Sequence, residues 1–478
     1  MKRSATLLLL LMLLVVMAAT ALAQEGDEQL FFPLINGGGQ NGGDPTTPTV
    51  EMTATLTDGE ATRVTPQGTA MPTNTKTAAP TATTDANATP TPITGTPGST
   101  VTPVNVPGSP TPINTPTPVP DCTQYGVGKV RSSRFGVQMY EDTQPSVKYF
   151  SALVDSSAGW LRVIAPWGPT EPVNTTPENY RWTRLDTELG AAAHLDVHVI
   201  GTIGFAPSWA ASNTNGILDK ATVADLTEFV GALVERYDGD GVDDAPCSPV
   251  VNHWEFYNEP DRTATQSVGY YRNSFGDHPE EYFEILKASY PVVKAANPAA
   301  QVLFGGIAYE WFTDEGGRFA RDFTDRVLQM GGGAYFDIMS FHVYPEFWRV
   351  HAEQPPGLLE KTNVIRELLA RNGVDKPLYI TETGSHSNSA ASFEMTEELQ
   401  ARYVPQLFAQ AIAGGADVAI WFMLYDTPDG TYPYKNGLVT DGDPPQRKLS
   451  FDAYTYAVNR FKDAEYVRTL TLEERGRE

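Results

Sequence analysis

"HWEFYNEPD", residues 253–261, alternates apolar and polar side chains and then stops on Asn258-Glu259-Pro260-Asp261. Such alternation reads as a strand with one face buried. A carboxylate at its end is either a surface group or one whose pKa is tuned by its setting, because desolvating an unpaired charge costs several kcal/mol. The neighbouring sequence repeats the pattern. Strand-like runs occur at 134–140, 159–167, 196–207, 250–260, 301–309, 336–345, 377–384 and 417–426. Helical patterns separate them, among them "TVADLTEFVGALVERY", "EEYFEILKASYPVVKAA", "KTNVIRELLARNGV" and "ELQARYVPQLFAQAIAGGA", with "LSFDAYTYAVNRFKD" closing the series. Eight strand–helix repeats over about 340 residues predict an α/β fold, a (β/α)8 TIM barrel. A doubly wound open sheet is the alternative, but no Gly-rich phosphate fingerprint follows the first strand.

In a barrel of this kind chemistry gathers at the C-terminal ends of the strands. The fourth strand delivers Asn258 and Glu259 there, and the seventh delivers Glu382 in "ITETG". Arg162 lies on the second strand, His342 and Tyr344 on the sixth, and Trp421 on the eighth; Trp209 follows the third in "FAPSWA". Two carboxyls across an aromatic-walled mouth suit glycosidic cleavage, in which one protonates the leaving oxygen and the other meets an oxocarbenium-like centre. Arg162 and Tyr344 are expected to keep Glu382 ionised. Glu259, beside apolar Trp254 and Phe256, is expected to have a raised pKa. Trp421 and Trp209 are each read as a sugar platform or as core, since tryptophan is often buried for packing alone.

Over roughly residues 130–463 the chain resembles the clan A glycoside hydrolases, retaining (β/α)8 enzymes with catalytic glutamates after strands four and seven. "NEP" is similar to that clan's acid/base motif and "ITETG" to its nucleophile motif. The resemblance implies Glu259 as acid/base, Glu382 as nucleophile and Asn258 as ligand of the sugar 2-hydroxyl. "LRV" and "HVY" likewise imply Arg162, His342 and Tyr344 as supports of the nucleophile and the −1 sugar. "GFAPSWA" and the pattern Tyr180, Trp182, Asp186 resemble the β-xylosidase, α-L-iduronidase and exopolysaccharide-hydrolase branch. Where cellulase-type members often carry a histidine after strand three, this chain has Gly204-Phe205.

The expected substrate is a β-linked polysaccharide or oligosaccharide, and the chain is expected to act as a monomer. A non-catalytic carbohydrate-binding or adhesive barrel is the alternative from another class. The formal charge of −24 argues against nucleic acid and anionic membranes as partners. No cofactor is required by this chemistry, and no histidine pattern suggests zinc. "YDGDGVDDAP" (237–246) places Asp238, Asp240, Asp243 and Asp244 on a Gly-rich turn. It is a candidate for structural calcium, without the twelve-residue spacing or closing Glu of a full loop.

Residues 1–23 read as a secretory signal peptide, ending in small Ala21 and Ala23 after an apolar run. A short segment, 24–43, contains the apolar "LFFPLI" (30–35), read as a surface-contact element or a sticky peptide. Residues 44–120 are almost wholly Thr, Pro, Ala, Ser, Gly and Asn and are expected to form an extended, disordered spacer, with cell-envelope attachment through the N-terminal region. The catalytic domain is expected over 121–465 and a charged tail over 466–478. Cys122 and Cys247, before strands one and four, are expected to form a disulfide on the N-terminal face of the barrel.

Overall fold

The computed structural model of the chain describes residues 34–37, 133–140, 146–195, 197–246, 248–264, 273–344, 357–389, 395–428 and 434–470. The signal peptide, the Thr/Pro-rich spacer, both cysteines and the end of the tail lie outside the described residues. Eight parallel strands close into a barrel: β1 (Phe135–Gln138), β2 (Trp160–Pro166), β3 (His198–Gly204), β4 (His253–Asn258), β5 (Gln301–Ile307), β6 (Ile338–Val343), β7 (Leu378–Thr383) and β8 (Val418–Trp421). Closure is made by β1 on β8, with Val137 opposite Trp421.

Each strand is followed by a helix: α1 (Phe150–Ser156), α2 (Thr183–His194), α3 (Val223–Arg236), α4 (Pro279–Ala296), α5 (Phe323–Gln329), α6 (Leu358–Arg371), α7 (Glu397–Ala413) and α8 (Leu449–Phe461). Their starts follow local chemistry. At α3 the Asp225 carboxylate reaches back to accept the Thr222 N–H at 2.8 Å, a capping box. Proline opens α4, where its missing N–H costs nothing. The (β/α)8 architecture read from the strand–helix alternation is the one observed.

Alternation along each strand divides the side chains between two cores. Outward residues such as Leu161, Val163, Trp254 and Phe256 pack beneath the helices. Inward residues Trp160, Ile200, Leu303, Ile338, Tyr379, Val418 and Ile420 fill the lower barrel as a separate apolar floor. Beyond the sequence-read boundary at 465, a strand over Ala464–Arg468 pairs antiparallel with Leu34–Gly37, so the end of "LFFPLI" belongs to a two-stranded ribbon. Among the described residues no helix is long and apolar enough to cross a membrane.

Candidate active site

Above the apolar floor the barrel interior turns polar. Arg162, fully buried on β2, is its hub. Its Nε donates to Glu255 Oε2 at 2.8 Å, Nη1 to Glu382 Oε1 at 2.6 Å and Nη2 to Asn258 Oδ1 at 2.8 Å, while Gln138 also accepts from Nη1. Glu255, also fully buried, accepts from Thr202 at 2.7 Å and from Ser340 at 2.8 Å. Burial would push its carboxyl up, but the Arg162 guanidinium and these hydrogen bonds hold it below its ordinary value. Residues from six strands thus form one hydrogen-bonded network beneath the mouth.

The end of β4 answers how consecutive residues both reach that mouth. Simple alternation would send Asn258 and Glu259 to opposite faces. Tyr257 and Glu259 instead adopt left-handed conformations, φ +64° and +49°, which L-residues seldom occupy. Asn258 reaches Arg162, and Glu259 Oε1 lies 3.3 Å from His342 Nδ1. The same nitrogen lies 3.6 Å from Glu382 Oε2, which accepts the Tyr344 hydroxyl at 2.8 Å. One oxygen of each glutamate and one ring nitrogen of His342 lie within 4.8 Å of one another. His342 fits because β5 is bare beneath it: a Cβ on Gly306 would come 2.2 Å from Nε2. These three side chains would offer ligands to a cation, but the Arg162 guanidinium already bonded to Glu382 is a repulsive neighbour for one.

The expected rise of the Glu259 pKa is corrected. Burial does push it up, but the hydrogen bond and charge of His342, with the Arg262 and Arg162 cations, outweigh that and hold it below its ordinary value. Arg262 Nη1 stands 4.0 Å from Glu259 Oε2, supplied by the turn after β4. Reciprocally, burial lowers His342, but Glu382 and Glu259 raise it on balance.

Six of the sequence-read residues, Arg162, Asn258, Glu259, His342, Tyr344 and Glu382, come together. Two do not. Trp421 is fully buried and donates its indole N–H to Asn436 O at 3.2 Å, so it is not an exposed platform. Strand parity explains this: Val418 and Ile420 face the barrel interior, which turns Trp421 outward to the helices. Phe422 faces the mouth instead, edge-on to Tyr140 at 5.5 Å and to Tyr344 at 6.1 Å. Trp209 packs edge-on against Trp167 at 5.2 Å and donates to Glu171 O at 3.0 Å, tying the loop after β3 to the loop after β2. On the acidic turn, Asp238, Asp240 and Asp244 converge within 4.8 Å, and Asp243 is not in that group. Their oxygens already accept turn N–H groups of Asp240, Gly241 and Val242 at 2.8–3.2 Å. Gln138, Glu255 and Asp261 were not singled out by the sequence reading. Glu255 had a signal, since a carboxylate between Trp254 and Phe256 must face the opposite side from both.

Asp261 is fully buried and accepts the N–H groups of Ala308 at 3.1 Å and Tyr309 at 2.7 Å, fastening the end of β5 to the site turn. Burial, helped by the Glu259 charge, pushes its carboxyl up to about 7. A raised folded-state value means the native state holds the proton longer than the unfolded chain. The resulting stabilisation is complete below about pH 4 and is lost as pH rises through about 7. Wild-type protein should therefore lose roughly 2 kcal/mol between pH 5 and 7.5 from this group. Urea titrations of wild type and Asp261→Asn across that range should show the smaller decline in the variant; equal declines would exclude the assignment.

No protein-family model matches the chain, and no curated protein matches it. Among solved structures it is similar to a family 39 glycoside hydrolase from the gut symbiont Bacteroides cellulosilyticus WH2, at 20% identity and a TM-score of 0.51, over 70% of this chain and 64% of that one. A GH5_18 protein from Streptomyces cattleya, solved in complex with Manb1-4GlcNAc, is 16% identical with a TM-score of 0.52, over 69% of this chain and 81% of that one. A monomeric beta-xylosidase from Caulobacter crescentus CB15 is 17% identical with a TM-score of 0.50, over 71% of each chain. The chain thus spans less than two thirds of the family 39 structure's length. The barrel is the fold these glycoside hydrolases share.

Proposed function

We propose that this chain is a secreted, retaining O-glycoside hydrolase acting on a β-linked polysaccharide or oligosaccharide. The observation that carries the reading is the pair of carboxylates at the ends of β4 and β7, with oxygens within 4.8 Å of each other and of His342. Retaining enzymes hold their two carboxyls about 5–5.5 Å apart, whereas inverting enzymes leave about 6.5–9.5 Å for a water. Glu382, charge-paired with Arg162 and hydrogen-bonded by Tyr344, is the nucleophile that attacks the anomeric carbon. Glu259 is the acid/base. In its protonated form it gives its proton to the leaving oxygen as the glycosidic bond breaks. It then removes a proton from the water that releases the sugar from Glu382. In this reading Asn258, whose Oδ1 accepts from Arg162, binds the 2-hydroxyl. The family 39 glycoside hydrolase and the beta-xylosidase that share this barrel support the same reaction class.

The test is incubation of the full chain with a panel of polysaccharides and 4-nitrophenyl glycosides, with NMR of the first-formed anomer. Cleavage with retained configuration is expected. Inversion would remove the double-displacement assignment, and binding without cleavage would make the chain a carbohydrate-binding barrel. Secretion predicts mature protein in the culture fluid, beginning after Ala23.

A further inference from the structure

Beside the catalytic cluster lies a cavity of about 550 Å³, walled by the loops after β2 and β3 and by Tyr140 beyond β1. It adjoins the site directly. Ile164 in its wall lies two residues beyond Arg162 on the same face of β2, and Tyr140 reaches Glu382 through Phe422 and Tyr344. Its lining is unlike a surface that recognises a hydroxylated sugar. Pro166, Pro169, Pro172, Pro207 and Phe205 dominate it, and no Asp, Glu, Asn, Gln, Arg, Lys, His or Trp is among its described lining. Only the hydroxyls of Tyr140, Ser208 and Thr214 offer side-chain polarity. A pyranose with free hydroxyls would surrender several hydrogen bonds to water there and regain few, which is unfavourable.

The cavity is also pre-formed. Gly168 N–H donates to Phe205 O at 2.8 Å, Ala206 N–H to Thr214 O at 2.7 Å, and the Trp209 indole ties the walls through Glu171 O. A Cβ on Gly168 would come 2.9 Å from Phe205 O, so the two loops meet at backbone distance. A rigid apolar chamber loses little on binding an apolar group and gains its full transfer energy.

Resting on the hydrolase reading, we infer that this chamber receives an uncharged, hydroxyl-poor group of the substrate, an aryl aglycone or an O-acetylated sugar, next to the sugar held by Arg162, Asn258 and Glu382. Leaving-group reactivity would confuse a kinetic test, so the readout is binding. Full-chain Glu382→Gln is titrated calorimetrically with the methyl, phenyl, free disaccharide and O-acetylated disaccharide forms of whichever sugar the panel identifies. The phenyl or the acetylated form is expected to bind about tenfold or more tightly than the methyl and free disaccharide forms, and the preferred one identifies the source. Ser208 is exposed at the rim, so Ser208→Asp should fold and erase that preference while leaving methyl-glycoside affinity within about twofold. Equal binding of all four forms, or a preference that survives Ser208→Asp, would overturn the inference. Free 4-methylumbelliferone, followed by saturation-transfer NMR on wild type and Ser208→Asp, separates the two readings. Ser208-sensitive binding in a chain that cleaves no glycoside would defeat the hydrolase reading alone. Cleavage without aryl or acetyl preference would defeat the chamber alone.

Discussion

Replacing Glu382 with Gly should lower turnover at least about 10⁴-fold on every cleaved substrate, because among the described residues no other group stands ready to form the covalent intermediate. Glu259→Ala should behave differently. On a substrate with a poor leaving group it should lose about 10²–10⁴-fold, the usual worth of a positioned acid. With a dinitrophenyl leaving group the first step needs no proton, so the glycosyl-enzyme should form and accumulate. Azide, which attacks without general-base help, should then restore turnover and yield a glycosyl azide of retained configuration. The pair is read by kcat/KM on both substrate types and by identification of the azide product. Azide rescue in the Glu382 variant with retained product, and in the Glu259 variant with inverted product, would exchange the two roles.

Removal of Arg162 should damage both the fold and the chemistry. Arg162→Met leaves the fully buried Glu255 without its cation, and breaking a buried ion pair from one side costs about 3–5 kcal/mol. It also frees Asn258 and Glu382, so activity measured on the remaining folded protein should fall by at least about 10²-fold. Arg162→Lys should not restore it, since a point charge cannot span Glu255, Glu382, Asn258 and Gln138 at once. Adding Glu255→Gln to Arg162→Met should recover part of the stability and none of the activity. Urea midpoints with kcat/KM on the same preparations distinguish the two effects, and a stable Arg162→Met protein would show that the network is dispensable.

The architecture was legible because burial imposes periodicity: all eight strands fall within their apolar runs. The site was legible where chemistry demanded unusual residues at strand ends, as at Glu259 and Glu382. What escaped was decided by backbone conformation and by distance along the chain. The left-handed turn at Tyr257 has no glycine to announce it, yet it brings Asn258 and Glu259 to the same mouth. Trp421 was misread as a platform candidate because its parity depends on where the inward set of β8 begins. The pKa expectation for Glu259 failed because its hydrogen-bonding neighbour, His342, comes from β6, and because Arg262 curls back from the following turn. Sequence neighbours alone suggested an apolar setting.

The change from apolar floor to polar storey inside the barrel also bears on how this chain can vary. Floor positions such as Ile200, Leu303 and Val418 are interchangeable fillers, where a substitution of similar volume carries a graded penalty. Glu255, Arg162, Thr202 and Ser340 are mutually dependent, and a change in one leaves its partners unsatisfied. Descendants of this sequence can therefore drift at the bottom of the barrel while the middle accepts change only in coordinated sets. Directed evolution toward heat resistance has its open ground in the floor and the outer helices. A search for new chemistry must carry several middle-layer replacements together, since each single-step intermediate leaves buried partners unsatisfied.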